Sequence, residues 1–184
     1  MEKVTLAQLL TKNIEEKIIC FPTDTVYGVG ARLNDWKAIN KIYQMKNRDQ
    51  NKPLAILVPN KDISNLVLSL SPLAEQLIEN YWPGAYTFLF LKNDCVSGII
   101  TKDKPTVALR MPDSAIALSI LSFFGPLATT SVNISGEKEL NSVDQIEEQF
   151  AQFIDYLVID EQSLSSKPST IIDATGEVPT IIRK

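Results

Sequence analysis

The chain has 184 residues, 45% hydrophobic and 22% charged, a size and balance that let one domain bury a full core without disulfide or metal staples. Its net charge of −4 argues against a domain whose main work is gripping a nucleic-acid backbone, which needs clustered, uncompensated Lys and Arg; it leaves room for a local basic pocket. The absence of histidine removes the side chain most often used as a general base near neutral pH, so any chemistry must rest mainly on positioning and electrostatics.

In chain order, Thr5 is placed to cap a helix carrying Leu6, Leu9, Leu10 and Ile14 at helical spacing, and residues 17–21 (KIICF) switch to a short strand ending at Pro22. The segment 21–30 (FPTDTVYGVG) then reads as a turn that brings backbone and hydroxyls close to a ligand; on its own, its two glycines serve a turn equally well. Ala38, Ile39, Ile42, Tyr43 and Met45 predict a helix. The polar loop 46–52 (KNRDQNK) follows it, then a strand over 54–58. Lys46, Arg48 and Lys52 can converge there on a polyanion, or can form a solvated basic turn that complements the helix dipole.

Helices are predicted near 72–81, 114–124 and 142–154, and strands at 86–91, 106–111, 126–132, 156–159, 170–173 and 180–183. Pro83 and Gly84 make a turn before the 86–91 strand. Arg110 sits in an otherwise apolar strand and therefore needs an anionic partner, which can be a protein carboxylate or a substrate carboxylate. The run 127–136 (LATTSVNISG) supplies many neutral donors in a compact turn, suited to cradling an anion or to satisfying local backbone. Residues 160–169 read as a polar loop. Several strands follow one another without an intervening helix, which predicts a single α/β domain over 1–184 with a twisted, mostly mixed sheet and flanking helices. Cys20 and Cys95 have no metal-site spacing and read as ordinary reduced thiols. No apolar run approaches the roughly 20 residues of a bilayer span, and no export signal is seen, which predicts a cytoplasmic protein.

Taken together, PTDTVYGVG, KNRDQNKPL, YWPGAYTF, VALRMP, TTSVNISG and PSTIID occur in an order that resembles the YrdC-like threonylcarbamoyl-AMP synthase family, in its short stand-alone form. The resemblance implies a YrdC-like fold enclosing an open cavity. It also implies condensation of L-threonine, bicarbonate or CO2 and ATP into threonylcarbamoyl-AMP and pyrophosphate for the threonylcarbamoyl modification of tRNA. Lys46, Arg48, Ser131 and Asn133 match the family's KxR…SxN tetrad and are the expected catalytic residues. Arg48, Lys52, Thr106, Asn133, Asn141 and Arg183 are expected to contact ATP. Thr25, Arg110, Ser131 and Ser169 are expected to hold threonine, with Thr23 and Tyr27 lining the same pocket. Mg²⁺ is expected to arrive on the nucleotide phosphates, with no metal held by protein ligands, and downstream transfer proteins acting on tRNA are the expected partners. Relatives often carry His where Leu57 stands, Pro at Ala85 and His at Ser114. The alternative reading is a YrdC-like RNA-binding module without synthase activity.

Overall fold

A capping box opens the first helix of the computed structural model, which describes Met1–Lys184. Strand β1 (Glu2–Val4) leads into helix α1 (Leu6–Leu9); the Thr5 hydroxyl accepts from the Gln8 N–H, and the Gln8 side-chain oxygen accepts from the Thr5 N–H. The helix lasts one turn, shorter than its apolar spacing predicts. Thr11 donates its hydroxyl proton back to the Gln8 carbonyl, and Asn13 takes the Glu15 N–H into a local turn, so side chains compete successfully with the helical ladder.

Strands β2 (Ile19–Pro22) and β3 (Tyr27–Arg32) pair antiparallel, with the turn confined to the residues between them. Gly28 and Gly30, read from sequence as turn glycines, are thus strand residues. A Cβ would stand 3.1 Å from Thr129 Cγ2 at Gly28 and 3.2 Å from Thr129 Oγ1 at Gly30, so glycine here allows close approach of the neighbouring strand. The chain continues through α2 (Trp36–Met45), β4 (Ala55–Leu57), α3 (Pro72–Tyr81), β5 (Tyr86–Leu91), α4 (Gly98–Thr101) and β6 (Thr106–Arg110). It closes with α5 (Ala115–Phe124), β7 (Leu127–Ser131), α6 (Val143–Phe150), β8 (Tyr156–Val158), β9 (Thr170–Asp173) and β10 (Thr180–Arg183). Asp35, Ser71 and Ser114 cap α2, α3 and α5 through side-chain oxygens. The elements β1, β3 and α4 lie beyond the sequence prediction; of the rest, α1 and α6 end earlier than predicted and the others fall close to where it places them.

The ten strands form one sheet in the order β1-β8-β2-β3-β7-β4-β6-β5-β9-β10. Pairs β1·β8, β2·β8, β4·β6 and β5·β9 are parallel and the others antiparallel, the mixed sheet that adjacent strands without connecting helices predict. Period-two alternation separates its faces. Val29, Ile56, Phe88, Phe90, Leu109 and Ile172 point into a 33-residue core with α2 and α3. On the other face Ile19, Phe21 and Leu127 join an 11-residue core under α5. Beyond α5 that face carries Gly28, Ala55, Ala108 and Thr129, too small to fill a second layer, and the space above them is the cavity described next. No helix is long and apolar enough to cross a membrane. Cys20 is buried and Cys95 exposed, and both are free thiols.

Candidate active site

The cavity has a volume of about 520 Å³. One wall comes from the end of α2. Lys46 caps that helix; Asn47 adopts a left-handed conformation (φ 46°), with its N–H on the Gln44 carbonyl at 3.1 Å and the Arg48 N–H on the Tyr43 carbonyl at 3.0 Å. This is a Schellman termination with Asn in the position glycine usually takes. The chain reversal at Asn47 is what lets both flanking cations line one cavity. Asn47→Ala is therefore expected to cost about 1 kcal/mol in a denaturant titration, because alanine tolerates the left-handed region less well, whereas Asn47→Gly should be close to neutral.

Lys46 is 1% exposed, and its ammonium donates to the Ser131 carbonyl (2.6 Å), the Asn133 carbonyl (2.9 Å) and Asn133 Oδ1 (2.6 Å). Ser131 Oγ also donates to Asn133 Oδ1 at 2.8 Å, and Asn133 Nδ2 donates to the Ile134 and Glu137 carbonyls at 3.0 and 2.8 Å. The Ser135 N–H returns to the Lys46 carbonyl at 2.8 Å. Lys46, Ser131 and Asn133 are thus one hydrogen-bonded unit, and the Asn133 amide has all four of its bonding positions filled. Burial, followed by the neighbouring Arg48, pushes Lys46 down to about 7, while the Glu139 carboxylate pulls it up. Three oxygen acceptors also favour the ammonium, since a neutral amine has only two protons to give.

Arg48 Nη2 donates to the Pro53 carbonyl at 2.7 Å and Nε to the Lys52 carbonyl at 3.4 Å; burial lowers its pKa. Across the cavity, Arg183 Nη2 donates to the Ser169 carbonyl at 2.7 Å. Of the chain's six ion pairs only one, Arg110 with Asp24, touches the cavity, so Lys46, Arg48, Lys52 and Arg183 line it with no carboxylate paired to them. Lys46 is consumed by its three acceptors, which leaves Arg48, Lys52 and Arg183 as cations around one cavity of an acidic protein with no carboxylate ion-paired to them, a lining suited to an anion.

Beside them lies a hydroxyl-rich pocket. Arg110 donates from Nε to the Gly84 carbonyl (2.9 Å), from Nη1 to Thr25 Oγ1 (2.7 Å) and from Nη2 to Asp24 Oδ1 (2.6 Å). The acidic partner its strand position demands is therefore Asp24, and two of its five N–H groups stay free. Thr23 Oγ1 lies 2.9 Å from Thr25 Oγ1 and donates to the Val26 carbonyl at 2.8 Å. The polar loop before β9 closes over this turn through the Ser165 N–H on the Asp24 carbonyl (3.0 Å) and the Ser166 N–H on the Thr25 carbonyl (2.9 Å). Tyr27 lines the same space, and burial pushes its phenol up to about 12.

Thr23, Thr25, Tyr27, Lys46, Arg48, Lys52, Arg110, Ser131, Asn133, Ser169 and Arg183 thus share one cavity. Two predicted ATP contacts do not line it. Thr106 is on the cavity face of β6, one same-face step before Ala108 at the strand's outer end, and Asn141 instead accepts the Tyr27 N–H at 3.2 Å, bracing β3. Thr129 and Ser135, from the donor-rich run 127–136, also line the cavity, and so do Thr87 and Glu139, to which the sequence alone assigns no role. The signal for Thr87 was the one aliphatic hydroxyl in the otherwise apolar run 86–91, on the opposite pleat from Phe88 and Phe90.

The family model described as "Telomere recombination", that of Sua5, YciO and YrdC, matches residues 13–184. The chain belongs to the Sua5/YciO/YrdC family. Among its relatives, a putative threonylcarbamoyl-AMP synthase of Methanocaldococcus jannaschii is 36% identical, covering 100% of this chain and 87% of that protein. The threonylcarbamoyl-AMP synthase of Pyrococcus abyssi is 34% identical over 92% of this chain, which spans 50% of that longer protein. The crystal structure of P. abyssi Sua5 complexed with L-threonine superposes with a TM-score of 0.91 at 30% identity, covering all of this chain and 57% of Sua5. The YrdC-like fold expected from sequence is the fold observed.

Proposed function

We propose that this chain is an L-threonylcarbamoyladenylate synthase. The observation that carries the reading is the junction, in one cavity, of three cations without carboxylate partners, Arg48, Lys52 and Arg183, and a hydroxyl-lined pocket around Arg110, an arrangement suited to a nucleoside triphosphate beside a small hydroxylated amino acid. Relatives named as synthases over nearly the whole chain and a fold match to a threonine complex support it. The cations converge inside a cavity of small-molecule size, which favours a synthase over an RNA-binding module gripping an extended backbone.

In the proposed reaction the threonine amine adds to CO2, free or derived from bicarbonate, and loses a proton to give N-carboxythreonine. The new carboxylate oxygen attacks the α-phosphorus of ATP, the bond from that phosphorus to the bridging oxygen breaks, and pyrophosphate leaves. No protein nucleophile is needed. The chain's task is to hold two anions together and stabilise charge on the departing pyrophosphate. Arg48, Lys52 and Arg183 are assigned to the phosphates. Lys46 and Asn133, whose polar groups are already engaged, are assigned to fixing the Ser131–Glu137 loop, with Ser131 facing the reacting atoms. No three carboxylate, Cys or His side chains come together as a metal cage, so Mg²⁺ is assigned to the nucleotide phosphates. The product is destined for proteins that transfer the threonylcarbamoyl group to tRNA in the cytoplasm.

Purified protein incubated with ATP, Mg²⁺ and labelled bicarbonate should form labelled acyl-AMP and pyrophosphate with L-threonine and far less with L-serine. No product with any amino acid, under conditions where a known synthase works, sinks the reading. The two free N–H groups of Arg110 are assigned to the threonine carboxylate. Threonine amide should then be used at least about tenfold less efficiently than threonine, from loss of a charge-assisted bond; equal use of both compounds would remove that role.

A further inference from the structure

Thr87 lies on the cavity face of β5 beside Leu89, Ala108 and Ile171 and, by the β5·β6 register, opposite Arg110, and valine would fill the same space. Its hydroxyl is buried and has one hydrogen-bond partner, Ser169 Oγ, at 2.7 Å; by geometry alone either oxygen could donate. Chemistry decides the direction. Both hydroxyls line the cavity, so the proton not used between them reaches it either way, and the direction is set by the third neighbour. Arg183 can only donate, and its Nη2 stands 3.5 Å from Ser169 Oγ while donating to the Ser169 carbonyl at 2.7 Å. Both neighbours therefore present positive hydrogen to the Ser169 oxygen. With its lone pairs turned toward Thr87 and Arg183, the Ser169 hydroxyl proton is left for the cavity.

We propose that Thr87 is a positioning residue that orients the Ser169 hydroxyl as a hydrogen-bond donor to an oxygen of the amino-acid substrate. The proposal rests on the reading that threonine occupies the hydroxyl-lined pocket beside Arg110. Nothing in the strand's packing requires the Thr87 hydroxyl. The register Thr87↔Ile171 and the Thr170 N–H on the Ala85 carbonyl at 3.0 Å hold β9 against β5 through backbone alone. Thr87→Val should leave that pairing intact while freeing Ser169 to rotate.

The test is a double-mutant cycle on L-threonine affinity, measured by calorimetry on the full chain without ATP. Thr87→Val should weaken threonine binding about tenfold, the effect of a misdirected hydrogen bond, with the thermal midpoint unchanged. Thr87→Ser, which keeps the hydroxyl, should restore affinity to within about twofold. In a Ser169→Ala background Thr87→Val should have no further effect, because the bond it directs is already gone. Additive effects, or wild-type affinity in Thr87→Val, would overturn the positioning role alone. Failure of the wild-type chain to bind threonine would overturn it together with the pocket assignment. Threonine binding with the expected cycle but no acyl-AMP formation would remove the synthase reading and leave this one standing.

Discussion

A Lys46→Met variant is expected to lose about two orders of magnitude in acyl-AMP formation and to lose most of the pH dependence of stability between about pH 7 and 9. Methionine keeps an apolar stem but leaves the carbonyls of Ser131 and Asn133 without the ammonium that now binds them. Each stripped buried acceptor costs about 1–3 kcal/mol, and the loop that presents Ser131 loses its anchor. The pH effect follows from the direction of the shift. Burial lowers Lys46 from 10.5 to about 7, so above about 7 the folded chain has released a proton that the unfolded chain still holds. The unfolded state then binds more protons, stability rises with pH across this window, and the gain is lost as pH falls through about 7. One such proton is worth at most about 1.4 kcal/mol per pH unit. Denaturant midpoints of both proteins at several pH values check this. Parallel curves would mean that the three oxygen acceptors hold the ammonium at its ordinary affinity, removing the pH effect; unchanged turnover would remove the positioning role.

Much of this architecture is legible in local pattern. Thr5 marks a helix start because a short side-chain oxygen satisfies an orphan N–H where the next turn is apolar and periodic. Arg110 in an apolar strand announces a buried anion partner, but its identity, Asp24, depends on a contact 86 residues away in sequence that no local signal encodes. β3 escaped because Gly28 and Gly30 carry turn chemistry in isolation, whereas in the sheet they answer to Thr129 on the neighbouring strand. α1 was overextended because apolar spacing does not register the hydroxyl and amide of Thr11 and Asn13.

The site divides along the same line. Lys46, Arg48, Ser131 and Asn133 were grouped by the family resemblance of their motifs, since each run taken alone reads equally well as a basic turn or a hydroxyl-rich strand end. Thr87 was not, because one threonine in a strand is ordinary until the fold sets Ser169 2.7 Å from it. Asn141 shows the converse: a polar residue close in sequence to a functional run was expected on the nucleotide, and the fold gives its amide oxygen to a strand N–H. The order of the motifs named polar residues most of which line one cavity; the division into those with free polar groups and those that hold the others in place required the hydrogen-bond network.

Arg48→Ala is the substitution that separates these two kinds of residue most sharply, with an expected fall in kcat of about 10²–10³-fold and little change in stability. Unlike Lys46, Arg48 donates to only two carbonyls, those of Lys52 and Pro53, and beyond these it interacts with the Tyr43 hydroxyl. Removing it therefore strips little from the fold and leaves the Lys46–Asn133 unit assembled. What is lost is a desolvated planar cation facing the cavity, in the position suited to the charge that develops as pyrophosphate departs. Arg48→Lys should recover only part of the rate, since an ammonium restores the charge but not the fork that bonds two oxygens at once. Threonine affinity should stay within about twofold in both variants, because Arg48 is assigned to the phosphates and not to the pocket of Thr25, Arg110 and Ser169. Single-turnover rates and threonine calorimetry on the same preparations read the two effects separately. Full turnover in Arg48→Ala would move the transition-state charge to Lys52 or Arg183, and a parallel loss of threonine binding would place Arg48 among the residues that shape the pocket.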